Sequence, residues 1–337
     1  MDIYEIFKYN DKDTLLKVLK QKPNLNIQNN DGMTPVMFAF INCNYKDVLL
    51  EILKQKPDFY IQDISGLNFT MYAFQYCKDK NVLLEILKQK PELNIPDSYG
   101  NTVAMYAFKY CQDKDVLLEV LKQKPNLNIQ DNFGYTVALY VFEYCQDKDV
   151  LLELLKQKPN LNIKTKYGDT ITMYAFQYCQ DKEVLLEIFK QNPDLNIKDN
   201  YSNTVAMYAF EYCQDKDVVL EVLKQKPNLN IKTDYGDTII MCAFSFCECH
   251  KDVLLELLKQ NPDLTLKNRY NKTALDYALK NYIKSPNFEF DVLEKLYDEN
   301  CKQDKQLFNP KYIKIRNKYK VLPVVLFRHQ KRYSIKN

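Results

Sequence analysis

Two short apolar patterns alternate along most of this chain. One, seen in Val103-Ala104-Met105-Tyr106-Ala107-Phe108, is apolar on nearly every side. The other puts Val116, Leu117, Val120 and Leu121 on one stripe at helical spacing, with Asp115 and Glu119 facing outward. The first predicts a buried helix over about residues 103–111. The second predicts an amphipathic helix beyond a polar break at Gln112-Asp113-Lys114. Ahead of the pair, Asp97-Ser98-Tyr99-Gly100 reads as a turn whose glycine is free to take positive φ. Thr102 is placed to cap the first helix through its hydroxyl. Lys122 and Lys124 suit the negative end of the second helix, and Pro125 stops it. Leu127-Asn128-Ile129 predicts an extended return to the next turn. Neither helix is long enough to stand alone in water, so stability must come from stacking on neighbours.

The same sentence of residues recurs with a fixed step. Gly66, Gly100, Gly134 and Gly168 stand 34 residues apart, and Gly32 and Gly236 fall on the same register, which uses all six glycines of the chain. Ser202 fills the gap in that series, and the last copy carries Asn271. Eight prolines, from Pro23 to Pro262, mark a second position; one extra residue near His250 interrupts the spacing. A fixed period of this length is the signature of a solenoid.

The unit resembles the ankyrin repeat over roughly 300 of the 337 residues. Four features carry the resemblance: the D-x-x-G-x-T turn, the alanine one turn into the first helix, the V-L-L-E-x-L second helix and the N-L-N-I return. A tetratricopeptide repeat has a similar period but no turn glycine followed by threonine, and no return strand. The resemblance implies an all-α solenoid of stacked helix-turn-helix ankyrin repeats with β-hairpin-like loops. The family's T-P-L-H appears once, as Thr34-Pro35-Val36-Met37; elsewhere the histidine position holds methionine or Leu139, so the family's Thr–His pair cannot form. The family's leucine is small or branched here (Ala104, Thr172, Ala206), while its second alanine is Phe108, Phe176 or Phe210. That is a volume exchange within one layer, which cores tolerate.

In chain order, residues 1–27 form a capping half-repeat without a hairpin, made more polar by Glu5, Lys8 and Lys12. They lack the basic start and apolar segment of a signal peptide. Eight repeats follow over residues 28–300, the last beginning near Asn268 and followed by a final helix at about residues 291–299. Residues 301–337 are a basic tail: from Lys302 onward there are eleven Lys or Arg against one acid, Asp304. The overall charge of +3 therefore conceals a mildly acidic array. No stretch approaches the length of a membrane span.

Seven of the ten cysteines occupy one repeat position, from Cys43 to Cys247. They read as small buried apolar residues with free thiols, in a cytoplasmic, reducing compartment or a host cell into which the protein is delivered. The one irregular cluster, Cys242, Cys247, Cys249 and His250, has ligand chemistry suited to zinc but no familiar finger spacing, and no metal or cofactor is expected. With two histidines, no nucleophile motif and every glycine committed to a turn, the chain is expected not to be an enzyme.

Function is then read from what varies between copies. By the ankyrin resemblance, partners bind the hairpin tips and the concave face of the first helices. At the tips stand Tyr99, Phe133, Tyr167, Tyr201, Tyr235 and Tyr270; on the helices stand Tyr76, Tyr110, Tyr144, Tyr178 and Tyr212. Among them lie Lys109, Glu143 and Glu211, with Lys164, Lys166 and Asp169 varying nearby. These aromatics read either as mortar between repeats or as a strip that contacts a protein partner. The expected function is a monomeric, non-catalytic protein–protein interaction scaffold. Two alternatives stay open. One is a delivered effector or ubiquitin-ligase adaptor that recruits a second component through its tail. The other is a basic-tailed binder of nucleic acid or a membrane surface.

Overall fold

The structure is a computed structural model that describes residues 3–9, 11–246, 251–284 and 290–303. The chain divides into two compact units, Met1–Pro193 and Asp194–Asn337. The described residues form helices joined by turns, with no strand.

In the first unit α1 (Ile3–Tyr9) and α2 (Lys12–Leu19) form the opening pair, without a turn motif ahead of them. Five pairs follow: α3 (Pro35–Asn42) and α4 (Lys46–Lys54), α5 (Phe69–Tyr76) and α6 (Lys80–Lys88), α7 (Val103–Tyr110) and α8 (Lys114–Lys122), α9 (Val137–Tyr144) and α10 (Lys148–Lys156), α11 (Ile171–Tyr178) and α12 (Lys182–Phe189). First helices pack on first helices in series, α1 on α3 and so on to α11, and second helices do the same from α2 to α12. The second unit repeats the arrangement with α13 (Val205–Tyr212), α14 (Lys216–Lys224), α15 (Ile239–Phe246), α16 (Lys251–Lys259), α17 (Ala274–Lys284) and α18 (Phe290–Gln303). There α13, α15 and α17 pack in series, as do α14, α16 and α18. Each unit is thus a helical repeat solenoid.

The starts and stops of α7 and α8 have residue-level reasons. In α7 the Thr102 hydroxyl accepts the Met105 N–H, and the Met105 sulfur in turn accepts the Thr102 N–H at 3.3 Å. Methionine therefore closes the capping box, as Met37 and Met207 also do. Cys111 ends α7 in an extended conformation. The polar break is itself a cap: Asp113 Oδ1 accepts the N–H groups of Asp115 and Val116 at the start of α8. Gln123 ends α8, and Lys124 turns the chain with φ of 53°. Equivalent lysines and asparagines, from Lys22 to Asn261, do the same. The predicted extended return is corrected: residues 127 and 128 form a turn, and Gln130 pairs with Thr136 in an isolated antiparallel bridge, as Gln62 with Asn68, Pro96 with Thr102 and Lys198 with Thr204 do elsewhere.

Phe108, Phe142 and Phe176 are buried, as the volume exchange predicts, and so are Val103, Met105 and Leu121. Between neighbours the side-chain amides make ladders that the helical pattern does not announce. Gln89, Gln123, Gln157 and Gln191 each donate to a leucine carbonyl at the end of the preceding second helix, at 2.7–3.1 Å. Each of these carbonyls also accepts the backbone N–H of Lys56, Lys90, Lys124 or Lys158, so the amide takes up the second acceptor site of a helix-end carbonyl. Asn94 and Asn128 each accept a backbone N–H from the next unit, at Asn126 and Asn160. On the outer face Lys12, Lys80, Lys114 and Lys148 pair with acids one repeat on: Asp47, Asp115, Asp149 and Glu183.

Candidate protein-binding surface

The tips are built from backbone. Asp97 Oδ1 accepts the N–H of Tyr99 at 2.9 Å and of Asn101 at 2.8 Å, and Gly100 follows with φ of 83°. The carbonyl of Tyr99 then receives the N–H of Asn132 from the next turn at 2.8 Å. A Cβ on Gly100 would sit 2.9 Å from the Asp131 Cα, so the close stacking of turns also demands glycine. The residue before the glycine is therefore fixed at its backbone on both sides, while its side chain projects. Tyr99, Phe133 and Tyr167 in the first unit are more than half exposed, as are Tyr201, Tyr235 and Tyr270 in the second. Lys166 lies over the Phe133 ring, 5.9 Å from its centroid.

The helical tyrosines are set differently. Tyr76 is 44 % exposed, Tyr144 37 % and Tyr178 36 %, while Tyr110 and Tyr212 are half-buried. Each rests on an inner tyrosine one turn earlier, with ring centroids 5.3–6.2 Å apart for the pairs 72/76, 106/110, 140/144, 174/178 and 208/212. They are neither wholly mortar nor wholly free: one side of the ring is packed and the rest faces out. Lys109, half-buried, lies over the rings of Tyr110 and Tyr140. Glu143 is half-buried and Glu211 exposed.

The inner tyrosines were missed from sequence, and they hold the surface in place. The hydroxyls of Tyr72, Tyr106, Tyr140 and Tyr208 donate to the second carboxylate oxygen of Asp63, Asp97, Asp131 and Asp199 at 2.6–3.1 Å. Each bond ties a helix to its own turn. Burial and the facing carboxylate push the phenols of Tyr72, Tyr106 and Tyr140 above the ordinary tyrosine range. The signal was present in part: aspartate heads the turn in four of the six copies that carry tyrosine nine residues on, whereas Thr165 and Asn268 head the turns of Tyr174 and Tyr277. Phe38 is matched instead with Asn29, and Cys242 with Thr233, heads that have no second oxygen to offer. Tyr174 faces Thr165 and bonds the hydroxyl of Tyr135 at 2.7 Å instead.

Cys43, Cys77, Cys111, Cys145 and Cys179 are free and buried, and burial pushes their thiols up. Cys247, Cys249 and His250 lie outside the described residues, as does the tail beyond Gln303. Among the described residues no helix is long and apolar enough to cross a membrane.

No family model matches the chain, and no curated protein matches it. Among solved structures, the chain is similar to one in a complex of the Bd0816 predatory endopeptidase from Bdellovibrio bacteriovorus with immunity protein Bd3460. The identity is 22 %, the TM-score is 0.45, and the match covers 58 % of this chain and 96 % of that one. At that similarity it carries no argument about function.

Proposed function

We propose that this chain is an ankyrin-type, non-catalytic scaffold that binds a protein partner through its turn tips and the adjoining tyrosines of its first helices. The ankyrin reading is supported by the positive-φ glycine turn, the threonine cap and the single antiparallel bridge that closes the turn. The observation that carries the binding reading is the exposure of the tip aromatics on a backbone pinned from both sides. Large aromatics left in water on a fixed frame supply contact area at little entropic cost. Buried free thiols fit a reducing compartment, and a monomer is the working state.

Two comparisons test this. First, Tyr144→Ser should shift stability by less than about 1 kcal/mol because the ring is partly exposed, whereas Phe142→Ala should cost roughly 3–5 kcal/mol. Equal, large losses would reduce the tyrosine to packing. Second, Tyr76, Tyr110, Tyr144 and Tyr178 changed together to serine should abolish partner capture, and a chain truncated at Cys301 should retain it. Capture that survives the serine set and disappears with the tail would instead favour recruitment through the eleven tail cations.

A further inference from the structure

One stretch of the first unit combines charge and aromatic rings in a way its neighbours do not. Glu143, near the end of α9, is half-buried and has no ion-pair partner among the described residues. Tyrosines surround it. On α9, Tyr140 and Tyr144 stack at 5.9 Å; on α11, Tyr174 and Tyr178 stand 5.3 Å apart. Tyr135 joins the two pairs, its ring 5.9 Å from Tyr140 and 5.9 Å from Tyr174, edge-on to the latter at 89°. The equivalent places in the other turns hold Met33, Leu67, Asn101, Asp169, Asn203, Asp237 and Lys272, so this third ring is peculiar to the Glu143 unit. Burial is the first cause that raises the phenol pKa of Tyr135, Tyr140, Tyr144, Tyr174 and Tyr178; the negative charge of Glu143 adds to it at all five, and that of Asp169 at Tyr135, Tyr174 and Tyr178.

The rings of this face already take a cation. One repeat earlier, Lys109 lies 5.4 Å from the Tyr110 centroid and 5.9 Å from that of Tyr140. No cation covers Tyr144 or Tyr178 among the described residues. The Glu143 carboxylate takes a hydrogen bond from the Tyr144 side chain but has no cation beside it among the described residues, and an electron-rich ring face and such a carboxylate share one preference, for a positive group. A guanidinium satisfies both together, because it stacks on rings while its N–H fork meets a carboxylate.

We propose that Glu143, with Tyr135, Tyr144 and Tyr178, forms a seat for one arginine side chain of the protein partner. This rests on the reading of the face as a binding surface and names the chemistry it selects.

The test uses the full chain with labelled tyrosine rings and N-acetyl-arginine amide as the probe, followed by NMR. Tyr144→Phe and Tyr178→Phe assign the two ring signals. Those signals should shift saturably with the arginine probe and stay still with N-acetyl-citrulline amide, which has nearly the same shape and no charge. Glu143→Gln should melt like the wild type and weaken the probe by about fivefold or more. Glu211→Gln, at the equivalent place in the second unit, should bind as the wild type does. The proposal is overturned if citrulline shifts the rings equally, if Glu143→Gln binds undiminished, or if Glu211→Gln weakens binding as much. Should Glu143→Gln fail to fold, the two probes on the wild type decide the matter. If the seat fails while the four-serine variant still abolishes partner capture, the binding face stands without its arginine. If capture survives the serine set, the face itself is wrong, whatever the probe does.

Discussion

Ser202 stands where six of the other turns have glycine and the last has Asn271, and its φ of 63° keeps the left-handed conformation. A side chain there costs roughly 1 kcal/mol of strain. Its hydroxyl, however, donates to Asp234 at 2.7 Å, a bond worth about 1 kcal/mol net. Sequence alone shows the strain and hides the bond. Ser202→Gly should therefore leave the denaturant midpoint nearly unchanged, while Ser202→Ala should lower stability by about 1 kcal/mol. A clear gain with glycine would mean that the hydroxyl contributes nothing. Thr172 presents the opposite case. Its hydroxyl is buried without a hydrogen-bond partner among the described residues, and the equivalent place in α3 is Val36. Thr172→Val should raise stability by about 1 kcal/mol, since it removes the cost of an unsatisfied group at nearly constant volume. A loss in thermal melting would show that the hydroxyl has a partner after all.

At the scale of the element, periodicity revealed the helices and little of what joins them. The stripe of Val116, Leu117, Val120 and Leu121 is buried as read, because a 3.6-residue repeat has one way to hide four apolar side chains. Asp113 was read as part of a break and is a cap; Lys124 was read as a charge at a helix end and is a left-handed turn residue. Both roles depend on backbone geometry that hydropathy does not encode. The tyrosine–aspartate tie is a third such case. Tyr106→Phe should cost roughly 1–2 kcal/mol, because the Asp97 carboxylate loses its 2.9 Å donor and keeps only Asn101 on that oxygen. Asp97→Asn should then cost less in the Tyr106→Phe background than in the wild type, since the chain itself pairs Asn29 with Phe38. Additive losses in a double-mutant cycle would show the two residues to be independent. The candidate surface was legible only in its outer members, because exposed tip aromatics break the apolar pattern while the inner tyrosines continue it.

At the scale of the whole molecule, the same phenols set an alkaline limit. Burial and neighbouring groups hold Tyr72, Tyr106, Tyr140 and Tyr174 protonated above the ordinary value of 10.0, and Tyr144 is pushed up to about 12. An unfolded chain ionises first, so this stabilisation is complete below about pH 10 and is lost as pH rises through the folded values. Lys80, Lys114 and Lys148, raised by their acidic partners, act in the same direction. Denaturant midpoints should therefore be flat from pH 7 to 9 and fall steeply beyond about pH 10, with phenolate absorbance of the inner set appearing only as the fold is lost. Early phenolate signals from a still-folded chain would contradict the burial of these hydroxyls.

The turn-to-turn bond from Asn132 to Tyr99 has a counterpart in Lys166 to Phe133, and the Gln123 amide on Leu87 has one in Gln157 on Leu121. Each joint within the first unit is thus made by the same atoms on both sides. Removing residues 97–130 would bring Gly66 and its neighbours against Asp131 and its neighbours, surfaces that already fit copies of one another. Length is therefore a quantised variable in this design. The array can grow or shrink in whole repeats without inventing a new interface, whereas a single inserted residue must be absorbed inside one loop.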